Sequence, residues 1–242
     1  GYPQWAYAPG PERGYYNLAV FFYGCTFNCL FCQNWTHKLL GEAEVRSEEE
    51  LAAAAGRSTA CVCFFGGDPT PQLEWALAAA HLARQRNQHR PLRICWETNG
   101  SMGRTWLDKM IDLSLESGGC VKFDLKAFDR NLHLALASTS NEQTLSNFAH
   151  LVERARERRE PPLAVASTLL VPGYMEAEEV SALAKFIAKA DPETPYSLLG
   201  FYPQFVLADL PVTTRRQAQE CVQAAREAGL RRVHIGNQHL LA

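Results

Sequence analysis

The sequence has no uninterrupted apolar run near 18 residues, so no segment reads as a membrane-spanning helix. It has almost no net charge: 24 Lys and Arg against 26 Asp and Glu leave −2, which gives no electrostatic case for nucleic acid or a membrane surface. No secretory leader is visible, and eight cysteines without one point to a reducing cytoplasm. No cysteine-rich run closes the chain, and no residue stands out as a general base. Nor is a second domain called for, because 242 residues at 47% hydrophobic and 21% charged suit a single α/β barrel with one large core.

Three of the cysteines stand together. Residues 23–35 read Tyr-Gly-Cys-Thr-Phe-Asn-Cys-Leu-Phe-Cys-Gln-Asn-Trp, directly after an apolar, strand-like run. The spacing Cys25-x3-Cys29-x2-Cys32 supplies three thiolates and no fourth. A [4Fe-4S] cluster held there keeps one iron free of protein ligands, whereas structural iron–sulfur and zinc sites close their coordination with four. The rival is a non-catalytic zinc scaffold in which His37 completes a Cys3His set. The other five cysteines, Cys61, Cys63, Cys95, Cys120 and Cys221, are scattered over four elements and read as small buried residues rather than a second ligand set.

Along the chain, residues 1–16 mix Pro, Gly and aromatics without a period, as in an extended segment lying on a surface. Strands are expected over 17–23, 60–65, 92–97, 120–125, 163–171, 196–202 and 233–235. Helices are expected over 47–56, opened by the capping box Ser47-Glu48-Glu49-Glu50, and over 71–87, 104–117, 141–159, 177–190 and 213–228. Six alternating strand–helix units with near-continuous apolar strands predict parallel pairing with helices outside, an α/β partial (βα)6 barrel of TIM type over 17–236 with a short tail at 237–242. Right-handed crossovers put every strand C-terminus on one rim, where barrel chemistry sits. The alternating Arg and Glu of 152–160 read as a solvated helix face.

Cys-x3-Cys-x-aromatic-Cys, with Phe31 at the aromatic position, resembles the radical S-adenosylmethionine (SAM) superfamily. The continuation Cys-Gln-Asn-Trp is similar to its glycyl-radical-enzyme activases (pyruvate formate-lyase activating enzyme-like) and to AmmeMemoRadiSam-type relatives. The resemblance covers roughly residues 15–236. It implies a partial barrel, one [4Fe-4S] cluster on Cys25, Cys29 and Cys32, and SAM bound at the free iron and cleaved to methionine and a 5′-deoxyadenosyl radical. Gly66-Gly67-Asp68-Pro69 matches the turn that holds the SAM ammonium, with Asp in place of the family's Glu. Carried over by position, Glu97, Thr98, the Lys122 carbonyl and Asp124 surround a monovalent cation, and Lys126 approaches the SAM carboxylate. Val171 in Val-Pro-Gly, with Tyr23 and Phe31, walls the adenine. Ser167 stands where activases often carry Arg, and Tyr202 where they carry a His near the ribose; the second departure points toward the AmmeMemoRadiSam-like branch. The interval 36–45 is too short and cysteine-free for a ferredoxin-like insertion. The implied partners are a flavodoxin or ferredoxin as reductant and a protein or peptide that loses hydrogen, with the enzyme a monomer; a small molecule or ribosomal peptide is the alternative substrate. With no long insertion to act as a lid, the open flank of such a barrel should form a wide groove that the partner itself covers.

Overall fold

A computed structural model describes residues 4–39 and 44–242. Residues 1–3 of the N-terminal segment and 40–43 of the interval after the cysteine loop lie outside the described residues. Seven strands, β1 (Tyr16–Phe21), β2 (Thr59–Phe65), β3 (Arg93–Thr98), β4 (Val121–Asp124), β5 (Ala164–Leu170), β6 (Tyr196–Gly200) and β7 (Val233–Gly236), pair in parallel in sequence order. No pairing joins β7 to β1 among the described residues, so the sheet is an open, partial barrel. Among the described residues seven α-helices cover it: α1 (Glu48–Ala54), α2 (Leu73–Arg86), α3 (Arg104–Ser117), α4 (Arg130–Ala137), α5 (Glu142–Arg154), α6 (Ala177–Ala190) and α7 (Arg215–Glu227).

The capping box expected at the start of α1 is formed in both directions. The Ser47 hydroxyl accepts from the Glu50 N–H at 3.2 Å, and the Glu50 carboxylate accepts from the Ser47 N–H at 2.8 Å. The helix missing from the sequence reading is α4. Its N-cap Asp129 accepts from the Leu132 N–H at 2.7 Å, and it ends at Ser138 in the left-handed region, φ 59°. With only eight residues, and α5 beginning four residues beyond its C-cap, it offers too short a periodic stretch to separate from its neighbour.

The strands do not read as continuous apolar runs throughout. On β3, Ile94 and Trp96 are fully buried and alternate with the half-buried Arg93, Cys95 and Glu97. Successive side chains on a strand point to opposite faces. The outward set, including Val62, Phe64, Ile94, Trp96, Val121 and Phe123, packs against the helices, with the Phe64 and Trp96 rings stacked at 4.5 Å. The inward set carries the barrel's polar and sulfur chemistry.

Residues 4–16 lie at the strand N-terminal end. The Arg93 guanidinium donates to the Trp5 carbonyl at 2.6 Å and to Glu12 at 3.0 Å, and the Arg158 guanidinium sits 5.2 Å from the Trp5 ring. Arg158 also corrects part of the solvated-face reading of 152–160. It is only 8% exposed and donates to the carbonyls of Ser114 (2.8 Å), Leu115 (3.2 Å) and Pro161 (3.0 Å), because the chain leaves helical geometry after Glu157 and turns inward. Arg154 does stay at the surface, paired with Asp112 at 2.8 Å.

Candidate metal and cofactor centre

The cysteine loop leaves β1 and is tied down on three sides. The Phe22 N–H donates to the Gly66 carbonyl at 2.8 Å and the Asp68 N–H to the Gly24 carbonyl at 3.0 Å, which stitches the loop to the turn after β2. On the opposite side, the Asn28 and Leu30 N–H groups donate to the carbonyls of Ala137 (3.0 Å) and Leu136 (2.9 Å). The last carbonyls of a helix have no partner within it, so the C-terminus of α4 is a ready acceptor for these two amides. Farther round, the Leu30 carbonyl accepts from the Val206 N–H at 3.1 Å.

Held in this way, Cys25, Cys29 and Cys32 all line one cleft of about 240 Å³ at the strand C-terminal rim. Gly66, Gly67, Asp68, Glu97, Thr98, Lys122, Asp124, Lys126 and Phe31 line it too. Burial, and then the Asp68 carboxylate, push the Cys25 thiol up to about 11; burial also raises Cys29, opposed by the Lys126 ammonium. Thiolates that are costly here without a counter-cation suit a site whose occupant is a metal, which binds them deprotonated and releases their protons. Three thiols face one hollow and no fourth cysteine joins them, a donor set of the kind a sulfur-ligated cluster takes, although among the described residues no three His, Cys, Asp or Glu side chains are grouped to hold a single metal ion. His37 stands beside the set, its Nε2 3.8 Å from Cys32 Sγ, with Nδ1 buried and without a hydrogen-bond partner among the described residues.

Both glycines of the turn adopt φ +64°. A Cβ on Gly67 would fall 2.3 Å from the Phe22 carbonyl oxygen, and one on Gly66 would strike the Phe21 ring at 1.9 Å, so only glycine lets the loop and the turn meet. Asp68, 2% exposed, points into the protein. Its carboxylate accepts from the Thr70 N–H (2.9 Å), the Asn99 N–H (2.7 Å) and the Thr98 hydroxyl (3.0 Å). Asp68 therefore clamps the end of β2 to the end of β3. Burial raises its pKa against the pull of these hydrogen bonds.

The charged residues at the next strand ends are paired. Lys122 Nζ lies 2.8 Å from Glu97, and Lys126 Nζ lies 2.7 Å from Asp124. The Ser167 hydroxyl donates to the other Asp124 oxygen at 2.7 Å. Burial alone would raise Asp124, but the ammonium groups of Lys126 and then Lys122 hold it below the ordinary carboxylate value. Burial alone would lower Lys126, but Asp124 and the nearby Cys29 thiol outweigh it. Lys126 also lies 5.6 Å from the centre of the Phe31 ring. Every side chain expected around a monovalent cation thus already has a partner: Glu97 has Lys122, Thr98 has Asp68, and Asp124 has Lys126 and Ser167.

Four of the expected cofactor residues do not line the cleft. Tyr23 is 44% exposed on an outer groove with Leu18, Phe21 and Trp75; Tyr202 is 48% exposed; Val171 is wholly buried; Ser167 reaches the cleft only through Asp124. In exchange the fold brings in Asn99, which the sequence reading passed over. Its amide donates to the Thr26 hydroxyl at 2.8 Å and lies 3.7 Å from Cys25 Sγ. Its place directly after Thr98, at a strand end, was the available signal. In place of the expected groove stands the cleft of about 240 Å³. Neither residues 4–16 nor the tail line it: the Ala242 N–H donates to Thr213 at 3.2 Å, beside α7.

The open parallel barrel gathers three thiols, a glycine turn and paired charges at its strand C-terminal rim. The Radical SAM superfamily model matches residues 19–187, and the chain belongs to that superfamily. The chain is 30% identical over 149 residues to the pyruvate formate-lyase 1-activating enzyme of Escherichia coli, covering 56% of this chain and 55% of that protein, so it spans about half that relative's length. Among solved structures it is similar to a radical SAM methyltransferase from Sphaerobacter thermophilus, with TM-score 0.69, 15% identity, and coverage of 90% of this chain and 64% of that one. It is also similar to Streptococcus suis SuiB bound to the precursor peptide SuiA, with TM-score 0.66, 15% identity, and coverage of 93% and 49%. At these identities the two structures establish the shared fold.

Proposed function

We propose that the chain is a radical SAM enzyme in which Cys25, Cys29 and Cys32 hold one [4Fe-4S] cluster and SAM occupies the remaining iron. The observation that carries this reading is that the three thiols share one cleft with the Gly66–Gly67 turn and the Asp124–Lys126 pair. When bound, the cluster supplies the electron that cleaves SAM to methionine and a 5′-deoxyadenosyl radical, which takes hydrogen from the substrate. The chain's own residues bind and orient. The Gly66–Gly67 backbone, free of side chains, lets the SAM ammonium approach closely, while Asp68 holds the turn in place. Lys126 offers its ammonium to the SAM carboxylate, with Asp124 and Ser167 fixing its position. Phe31 covers one side; Tyr23, Val171 and Tyr202, off the cleft, are left out of the proposed contacts. A monovalent cation at Glu97, Thr98, Asp124 and the Lys122 carbonyl would have to displace the Lys122 ammonium, and SAM affinity compared in potassium and tetramethylammonium buffers tests it.

For the substrate we propose a protein or peptide, with hydrogen taken from a C–H such as that of a glycine, electrons from a flavodoxin or ferredoxin, and the enzyme a monomer. This is supported by the activase relative and by a mouth that neither the described N-terminal segment nor the tail covers. The contact between His37 and Cys32 points to one rival, a Cys3His zinc site, against which stands that among the described residues no three such side chains are grouped to hold one metal ion. Anaerobic reconstitution decides between them: about four irons per chain, brown colour, and 5′-deoxyadenosine on adding reductant and SAM support the proposal, whereas a colourless protein with one zinc removes it. Anaerobic pull-down, followed by a search of the captured protein for backbone cleavage at a glycine in air, tests the substrate.

A further inference from the structure

Four of the remaining cysteines, scattered in sequence, meet inside the barrel. Pairing of β2 with β3 sets Cys63 directly opposite Cys95. Pairing of β3 with β4 sets Trp96 opposite Val121, so one step earlier Cys95 faces Cys120, and the Trp96 N–H donates to the Cys120 carbonyl at 2.9 Å. Two residues beyond each of these, Glu97 and Lys122 meet at 2.8 Å, and residues two apart on a strand share a face. Cys95 and Cys120 therefore point the same way, one layer below that ion pair. Cys61 lies on β2 opposite Arg93, two residues before Cys63. Cys95 and Cys120 are half-buried, whereas Cys61 is only 4% exposed.

Neighbouring positions on paired strands have Cα atoms about 4.8 Å apart, inside the range of roughly 4.4–6.8 Å that a disulfide spans. The geometry points to an oxidative modification site distinct from the metal centre: Cys95 and Cys120 form a reversible disulfide across β3 and β4 when the protein meets a peroxide. Cys95, as thiolate, attacks one oxygen of hydrogen peroxide; the O–O bond breaks, the departing hydroxide takes up a proton as water, and Cys95 becomes a sulfenic acid. The Cys120 sulfur then attacks the Cys95 sulfur, the S–O bond breaks, and the hydroxide leaves with the Cys120 proton as a second water. Two thiols are oxidised and one peroxide is reduced; a dithiol reductant reverses the bond by exchange. The bridge ties β3 to β4 directly under Glu97 and Lys122. None of the four cysteines lines the cleft, so the inference stands whether or not the proposed activity does.

The test treats the reconstituted protein anaerobically with limiting diamide, a two-electron thiol oxidant that spares the assay from oxygen, then unfolds, alkylates and maps the peptides. The expected result is a Cys95–Cys120 linked peptide, loss of alkylation at those two residues, and its return after dithiothreitol. Cys120→Ser should abolish the link while Cys63→Ser keeps it, which guards against a folding defect in either variant alone. Full alkylation of both residues, a Cys61–Cys95 or Cys63–Cys95 link instead, or bonds confined to Cys25, Cys29 and Cys32 would overturn the assignment. So would a metal ion retained by protein carrying Cys25→Ser, Cys29→Ser and Cys32→Ser together, because the four thiols would then be its ligands.

Discussion

Replacing Asp68 by Ala separates two roles that the Gly-Gly-Asp-Pro turn could give its carboxylate. As a direct SAM contact, it would contribute about 1.5–3 kcal/mol of cofactor binding, the range of a charge-assisted hydrogen bond. The carboxylate instead faces inward, 2% exposed, and satisfies the Thr70 and Asn99 N–H groups and the Thr98 hydroxyl. In Asp68→Ala two backbone donors lose their acceptor, at about 1–3 kcal/mol each. Relief from burying a carboxylate returns part of this, so the expected net loss is about 2–4 kcal/mol out of a total stability of about 5–15. At about 2–4 °C per kcal/mol for a domain this size, the melting midpoint should fall by several degrees. Asp68→Asn keeps one acceptor oxygen but turns an NH2 toward a donor, and it should fall between the two. The assay is anaerobic thermal unfolding beside SAM binding on the same samples. An Asp68→Ala protein with the parent midpoint and greatly weakened SAM binding would refute the clamp and return the carboxylate to the cofactor.

Three further outcomes follow from the same geometry. Cys25→Ala, Cys29→Ala and Cys32→Ala should each fail to retain about four irons per chain, whereas Cys221→Ala, buried on α7 away from the cleft, should retain them; elemental analysis of the four proteins decides. Asp129→Ala removes the N-cap of α4, at about 1 kcal/mol, and because the α4 C-terminus holds the cysteine loop, it should speed amide exchange at Asn28 and Leu30 while leaving α6 unchanged. Asp124 has a folded pKa below its unfolded value, so its contribution is present above the ordinary carboxylate value and lost as pH falls from there through the lowered folded value. Asp68, raised by burial, acts in the opposite sense, its protonated form favouring the fold as pH falls. Urea midpoints against pH before cluster reconstitution should therefore show a shallower acid limb in Asp124→Asn and a steeper one in Asp68→Asn.

The parts of the fold legible in the sequence were those fixed locally. Helices at Arg104–Ser117 and Ala177–Ala190 coincide with their expected limits because each carries a long apolar period between clear breaks, and the Ser47–Glu50 box is contained in four residues. That the three cysteines of the loop face one cleft was legible for the same reason: their spacing is short and contiguous. The Tyr23, Val171 and Tyr202 positions were carried over from the motifs of the resembled family, at the ends of strands. A strand end fixes height on the barrel but not the direction of a side chain past its last paired residue, and β1, β5 and β6 end at Phe21, Leu170 and Gly200, before those residues.

What sequence order hid was the content of the barrel's interior. Alternation puts every second residue of β2, β3 and β4 inside, and parallel register then stacks Cys63, Cys95 and Cys120 in one row with Glu97 and Lys122 directly above. Read one strand at a time, each cysteine is a small residue in an apolar run, and each charge is a strand-end group with water in reach. The chemistry appears only when registers are known, since a slip of one residue would turn the whole row out toward the helices. The same logic explains Lys122. Its carbonyl was the feature carried over for cation binding, yet its side chain points inward from β4 to meet Glu97 of β3. The barrel thus supplies from within the chain a positive charge at a place where a bound ion was expected, and the Lys122–Glu97 pair forms the boundary between the cleft of the cysteine loop above and the row of Cys63, Cys95 and Cys120 below.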